Sequence, residues 1–233
     1  MPIAVMQPYF LPYIGYFQLM ATVDKFVLLD DVNYINRGWI NRNRICINQQ
    51  PHWFTVPLVK ASQNRLISDL EIQSNSDWKS KLDKTIINNY RKTPFFADVY
   101  PIFEQIINFS NLSLSAFLYH SLKLIADYLS IKTTIIPTSS VYSKENLKGQ
   151  DRIIDICVKE TADSYFNLPG GKKLYDRDLF RNNNIDLYFI EPVLKNIKLS
   201  YGANEGPVLS MLDLMMWNHA NEIKQALTVY QLS

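Results

Sequence analysis

Three consecutive stretches decide the fold: Ile3-Ala4-Val5-Met6-Gln7-Pro8, Pro12-Tyr13-Ile14-Gly15-Tyr16-Phe17-Gln18-Leu19-Met20 and Asp24-Lys25-Phe26-Val27-Leu28-Leu29-Asp30-Asp31. The apolar run Ile3–Met6 must stop near Pro8, which cannot donate to a strand ladder. Pro12 suits a first helical turn, and the mostly apolar residues behind it predict a short helix. Phe26 to Leu29 is continuously apolar and bounded by aspartates, the pattern of a strand buried on both faces in a parallel sheet. Strand, loop, helix and strand within some thirty residues make a βαβ unit, which crosses over right-handed.

Outward from this unit, Trp39–Asn48 and His52–Val59 predict a β-hairpin turning at Gln49-Gln50-Pro51, and Leu66–Ile72 predicts a further strand. After Ser76 the period changes. Trp78, Leu82, Ile86 and Tyr90 fall four apart, as on one helix face. Thr93-Pro94 opens a second helix, with Pro94 at its first position, and Ser113 a third, ending near Leu129. The alternation then returns, with strands at Thr133–Ile136, Ser164–Asn167 and Ile185–Ile190. Helices are predicted at Asp151–Thr161 and Asp178–Asn183, with a long C-terminal one over Pro207–Leu227. No linker and no repeat divides the chain. The expectation is one α/β domain over residues 1–233, with a mixed or mostly parallel central sheet, flanking helices and a helical insertion at about 76–130.

Composition narrows the function classes. The 233 residues are 47% hydrophobic and carry 24 Lys+Arg against 22 Asp+Glu, a net charge of +2. So balanced a charge creates no field to gather nucleic acid or an anionic membrane. Cys46 and Cys157 have neither metal-ligand spacing nor the density of a disulfide framework, and read as buried, reduced thiols. His52, His120 and His219 are scattered, and no metal site is expected. There is no GxGxxG and no G-x-S-x-G elbow. No leader and no apolar run long enough to span a bilayer is visible, so a cytoplasmic location is expected.

Chemistry-bearing residues crowd the predicted carboxyl ends of the first two strands, where open α/β sheets bind ligands. Gln7, Asp24, Asp30, Asp31, Asn33, Tyr34, Arg37, Asn41, Arg42, Asn43 and Arg44 all lie in this part of the chain. Asp30 and Asp31 are either a base or metal-ligand pair, or a polar turn closing the strand. Arg37, Arg42 and Arg44, interleaved with asparagines, supply forked donors for phosphate, while Trp39 or Tyr9 offers a stacking face. Thr138-Ser139-Ser140 follows an apolar strand, as hydroxyls that either bind phosphate or cap a helix do, with Lys144, Lys148 and Arg152 nearby. Pro169-Gly170-Gly171-Lys172-Lys173 is glycine-rich beside lysines but lacks P-loop spacing.

The string Met6-Gln7-Pro8-Tyr9-Phe10-Leu11-Pro12-Tyr13-Ile14-Gly15-Tyr16-Phe17, with Asp24-Lys25-Phe26-Val27, Asp30-Asp31-Val32-Asn33-Tyr34 and Trp39-Ile40-Asn41-Arg42-Asn43, resembles the WbqC-like family. Trp53-Phe54-Thr55-Val56-Pro57, Ser139-Ser140, Tyr165, Tyr175 and Ser210–Asp213 extend the likeness over nearly the whole chain, whereas Leu199–Gly206 departs from the family's usual segment. The resemblance implies a role in bacterial O-antigen or other surface-polysaccharide biosynthesis, with transfer of glycine to a sugar as one activity. The layout of the first elements also resembles nucleotidylyltransferase-like folds, with Gly15-Tyr16 standing where their paired histidines would be. That likeness implies ATP with Mg as a cofactor; the residues themselves leave the cofactor unknown.

The functional expectation is a transferase that adds glycine or another acyl group to an amino sugar or sugar nucleotide. Its alternative is a non-catalytic sugar- or nucleotide-binding component of a polysaccharide assembly complex. Asp30 and Asp31 are the expected catalytic residues, and Asp31→Asn is expected to abolish turnover with little change in melting temperature. Gln7, Tyr9, Tyr16, Tyr34, Arg37, Trp39, Asn41, Arg42, Asn43, Arg44, Ser139, Ser140, Lys172 and Tyr175 are the expected substrate contacts. The expected partner is a small molecule, a sugar nucleotide, and not nucleic acid or a membrane.

Overall fold

The computed structural model describes residues 1–74, 77–143, 145–194, 197–200 and 209–233. A six-stranded sheet holds β1 (Pro2–Met6), β2 (Lys25–Leu28), β5 (Thr134–Ile136), β6 (Ser164–Asn167), β7 (Asp186–Pro192) and β8 (Tyr230–Leu232) in the order β5-β2-β1-β6-β7-β8. Every pairing is parallel except β7 with β8. The expected α/β class with a mostly parallel sheet is therefore present.

Side-chain alternation divides the strands between two cores. Ala4, Phe26, Leu28 and Ile190 join one cluster, with residues of α1 (Ile14–Thr22), α2 (Trp78–Tyr90), α3 (Phe96–Ile107), α4 (Leu114–Tyr128), α7 (Met211–Trp217) and α8 (Ala220–Leu227). Ile3, Val5, Val27, Tyr165, Leu187 and Phe189 point the other way, onto α5 (Gly149–Lys159) and Phe180 of α6 (Arg177–Arg181). Successive strand residues face opposite sides, so such strands need helices on both. α1 is buried almost all round, which explains its lack of a polar face. Its one buried glutamine, Gln18, donates Nε2 to the carbonyls of Ala226 and Val229 at 2.8 and 2.9 Å.

β1 extends in both directions: first to β2 and β5, then, by way of α5, to β6 and β7. The chain thus changes direction and sheet face between β1 and β6, the topological switch point of an open α/β sheet.

Several expectations need correction. The hairpin runs over β3 (Arg42–Ile47) and β4 (Gln50–Thr55), and its turn is Asn48-Gln49, not residues 49–51. Both turn residues have positive φ, the backbone that matches strand twist in a two-residue loop. Pro51 is tolerated because its pair with Cys46 comes next after the closing pair Ile47–Gln50 and needs no ladder hydrogen bond. Leu66–Ile72 forms a 3₁₀ turn at Ile67–Asp69 flanked by isolated bridges, not a strand. Pro94 lies before α3, which begins at Phe96. The C-terminal helix is broken at Asn218-His219 into α7 and α8, because Asn218 turns its amide to Lys198 and Leu214 while His219 caps α8. Pro207, where that helix was expected to begin, lies outside the described residues, as do Lys144 and residues 201–206. Strand β8 was not foreseen.

Candidate functional site

At the switch point a crevice of about 420 Å³ opens between three segments. Leu29, Val32 and Asn33 follow β2, while Leu147, Lys148, Gly149, Gln150, Arg152 and Ile153 form the start of α5. Leu174 and Tyr175 follow β6 and close the third side. Lys148 is the N-cap of α5 and offers no side-chain cap, so the first-turn N–H groups lack one usual partner. Together with the helix dipole they favour an anion at this end. Lys148 is exposed and forms no ion pair among the described residues. Lys148 and Asn33 stand out in the sequence as neighbours of the chemistry but not as substrate contacts, and Gly149 and Gln150 do not stand out. The available signal was a polar Lys-Gly-Gln entering an amphipathic helix shortly after a strand and a hydroxyl-rich loop.

Beneath this crevice lie the two carboxylates. Asp30 and Asp31 are 1% and 6% exposed, and neither lines the cavity. Oδ1 of Asp30 accepts from Thr138 Oγ1 at 2.7 Å and from the Ser139 N–H at 3.1 Å. Its Oδ2 makes no hydrogen bond among the described residues. Asp31 is held on both oxygens, by Ser139 Oγ at 2.5 Å and by Arg152 Nη2 at 3.1 Å. Arg152 also donates to the carbonyls of Ser139, Tyr142 and Ser143. The side chains of Asp30, Asp31, Thr138, Ser139 and Arg152 tie the end of β2, the loop after β5 and α5 together, so they set the position of the helix start. Ser140 is exposed and its N–H donates to Thr138 Oγ1.

Tyr175 is the one expected contact residue on the crevice wall. Its hydroxyl accepts from Asn167 Nδ2 at 3.1 Å, and its ring edge packs on Tyr165. Burial pushes both phenols up, Tyr165 the further, so they stay protonated. Gly171 permits the closeness, since a Cβ there would lie 2.9 Å from the Tyr175 ring. Lys172 instead faces Glu191, at 2.6 Å.

Tyr9, Trp39, Asn43 and Arg44 gather around a second cavity of about 250 Å³, with Pro12 and Tyr13. The Asn43 amide is spent on the carbonyls of Phe10 and Leu11, at 3.0 and 2.7 Å, where Leu11 has a positive φ. It therefore shapes the cavity wall. The remaining expected contacts are structural in their observed bonding. Tyr34 donates to Asn41, which donates on to the Val56 carbonyl. Arg42 donates to the carbonyls of Gly38 and Arg37, and Arg37 is exposed at the turn. Tyr16 is fully buried and donates to the Gln7 carbonyl at 3.0 Å. The Gln7 amide, at the end of β1, makes no hydrogen bond among the described residues. At Gly15 a Cβ would meet the Tyr13 ring at 2.4 Å and Pro192 at 2.7 Å, so no histidine fits there.

Among the described residues no three His, Cys, Asp or Glu side chains cluster as a metal site requires. Cys46 and Cys157 are both buried, and burial pushes the Cys157 thiol up to about 12. A thiol so raised stays protonated and is a poor nucleophile. Among the described residues no helix is long and apolar enough to cross a membrane.

A parallel sheet wound on both faces, with an open crevice at its switch point, defines the class: a doubly wound α/β protein. Within it the chain belongs to the WbqC-like protein family, whose profile matches residues 7–225. It is similar to the uncharacterized protein Rv1507c of Mycobacterium tuberculosis, with 31% identity over 222 residues, covering 91% of this chain and 92% of that protein. No solved structure matches the chain.

Proposed function

We propose that this chain is a transferase of bacterial surface-polysaccharide assembly that binds a sugar nucleotide in the switch-point crevice and adds glycine or another acyl group to an amino sugar. The observation that carries the reading is the α5 N-terminus opening, uncapped, into that crevice beside Lys148. Backbone donors and the Lys148 ammonium suit a diphosphate. In the transfer, the amine attacks the activated carboxyl carbon, the C–N bond forms, and the phosphate or thiolate on that carbon departs. Asp30, whose Oδ2 makes no hydrogen bond among the described residues but which lies beneath the crevice, would take the amine's proton by way of a water in the crevice. ATP with Mg is one source of the activated carboxylate and an acyl thioester is another.

The test is a thermal-shift series with UDP-N-acetylglucosamine, UDP, dTDP and ATP–Mg. A ligand at a hundredfold excess over its Kd stabilises by about 2.7 kcal/mol, a shift of several degrees for a chain of this size. The shift should shrink in Lys148→Met and at high salt. No shift with any of these nucleotides, or an equal shift in Lys148→Met, removes the reading. A binding role without turnover is favoured by one observation, the saturation of Asp31 by Ser139 and Arg152. Undiminished nucleotide binding with no mass-detected product from glycine, acyl-CoA or ATP–Mg would select it.

A further inference from the structure

The second cavity is built from different chemistry. Its lining is almost wholly aromatic or apolar, with Tyr9, Tyr13 and Trp39 around a floor shaped by Asn43. Trp39 is 36% exposed and its ring lies 5.1 Å from that of Trp53. The Arg42 guanidinium sits 4.1 Å from the Trp53 ring, and that of Arg44 sits 5.1 Å from Trp39. Cation–π contacts from two arginines of β3 thus hold Trp53 of β4 and Trp39, in the segment before the hairpin, in place. A large aromatic side chain kept about a third exposed and held by its neighbours is a platform rather than a piece of core.

The polar atoms on this platform decide what lies on it. The hydroxyls of Tyr9 and Tyr13 and the indole N–H of Trp39 form no hydrogen bond among the described residues. Burial raises the Tyr9 phenol, and burial together with Tyr9 takes that of Tyr13 to about 12. Both are therefore donors at neutral pH. An alkyl chain would cover these donors without pairing them, which disfavours it. A flat base could stack, but the amide that would read its edge, Asn43, is spent on Phe10 and Leu11, and the Arg44 guanidinium lies against Trp39. A hexopyranose has one face of C–H groups to lie on indole and a rim of hydroxyls to pair with the phenols.

We propose that this cavity is a saccharide subsite, in which a hexopyranose ring lies on Trp39 with its hydroxyls paired to Tyr9 and Tyr13. The inference concerns a pocket separate from the crevice and stands whether or not the crevice takes a nucleotide. The test is saturation-transfer NMR of the whole chain with the methyl glycosides of glucose, galactose, mannose and N-acetylglucosamine. Octanoate and adenosine serve as competing probes. Transfer to one face of at least one glycoside is expected, with affinity lowered about tenfold in Trp39→Ala. Tyr9→Phe and Tyr13→Phe, which keep the rings, should weaken binding several-fold, while Lys148→Met should leave glycoside binding unchanged. Circular dichroism of each variant confirms that it is folded. Binding of octanoate or adenosine without any glycoside, no binding of any probe, or full glycoside affinity in Trp39→Ala would overturn the proposal. A nucleotide shift that survives in Trp39→Ala keeps the two pockets distinguishable.

Discussion

Nη2 of Arg152 lies 3.1 Å from Oδ2 of Asp31, and the two side chains are only 2% and 8% exposed. The ion pair joins the end of β2 to α5 across 121 residues of chain. Arg152 was expected from its sequence position to supply positive charge to a bound anion. Its charge is answered instead inside the protein, and among the described residues Lys148 is the cation on the crevice wall without an ion pair.

Removing Asp31 leaves the buried Arg152 guanidinium with Asp155, at 3.1 Å, as its remaining carboxylate. Asp31→Asn, which loses one charge-assisted bond, should therefore destabilise the protein by about 2 kcal/mol, contrary to the expectation of little change in melting temperature. Arg152→Met in the same chain should recover part of the loss, because it removes the buried guanidinium while Asp155 keeps Lys159 as a partner. Urea melts of the two single variants and the double variant measure this coupling. A single Asp31→Asn variant as stable as the parent would show that the pair carries no weight.

Asp213 behaves in the opposite sense. Burial raises its carboxyl above the usual value of 3.8, with hydrogen bonds from Ser200, Tyr90 and the Cys46 N–H pulling partly back. A carboxyl with a raised folded-state pKa binds its proton more tightly folded than unfolded. Its ionisation therefore weakens the fold as pH rises from 3.8 through the folded value, and has no effect below both. The stability of the parent relative to Asp213→Asn should be greatest at low pH and decline through that window. Thermal melts between pH 3 and 7 test this, and a margin that grows with pH would refute it.

Gln49 holds a φ of 61° in the hairpin turn. A side chain there costs about 1–2 kcal/mol, and the extra freedom glycine gives the unfolded chain takes back about 0.5–1 kcal/mol. Gln49→Gly should accordingly raise the melting temperature by about 1–2 °C. A lower melting temperature would mean that the side chain makes a contact worth more than its strain.

The parts legible in the sequence are those in which local pattern and tertiary placement agree. Trp78, Leu82, Ile86 and Tyr90 repeat every fourth residue and all four are buried along α2. Phe26, Val27 and Leu28 are consecutive and all buried, as a central parallel strand requires. The break at Asn218 was hidden because the amide that makes it bonds to Lys198, twenty residues earlier. Tyr230–Leu232 is too short to show a period, and pairs only because Ile190 to Pro192 lies alongside. The candidate site was half legible. Its location at the strand ends follows from the parallel sheet, but Leu29 and Lys148 meet only through the crossover of α5.

The switch point also orders events in time. β1 finds β2 after a short helix, but its other edge pairs with Ser164 and Tyr165, more than half the chain later. Loop-closure entropy opposes that contact until the intervening helices have formed, so it is a slow step of folding. As the chain is synthesised, Ile3 waits with one row of backbone groups unpaired, a template for another chain. The crevice, whose walls come from both halves, is closed only when β6 docks, so ligand-binding competence reports on the completion of folding.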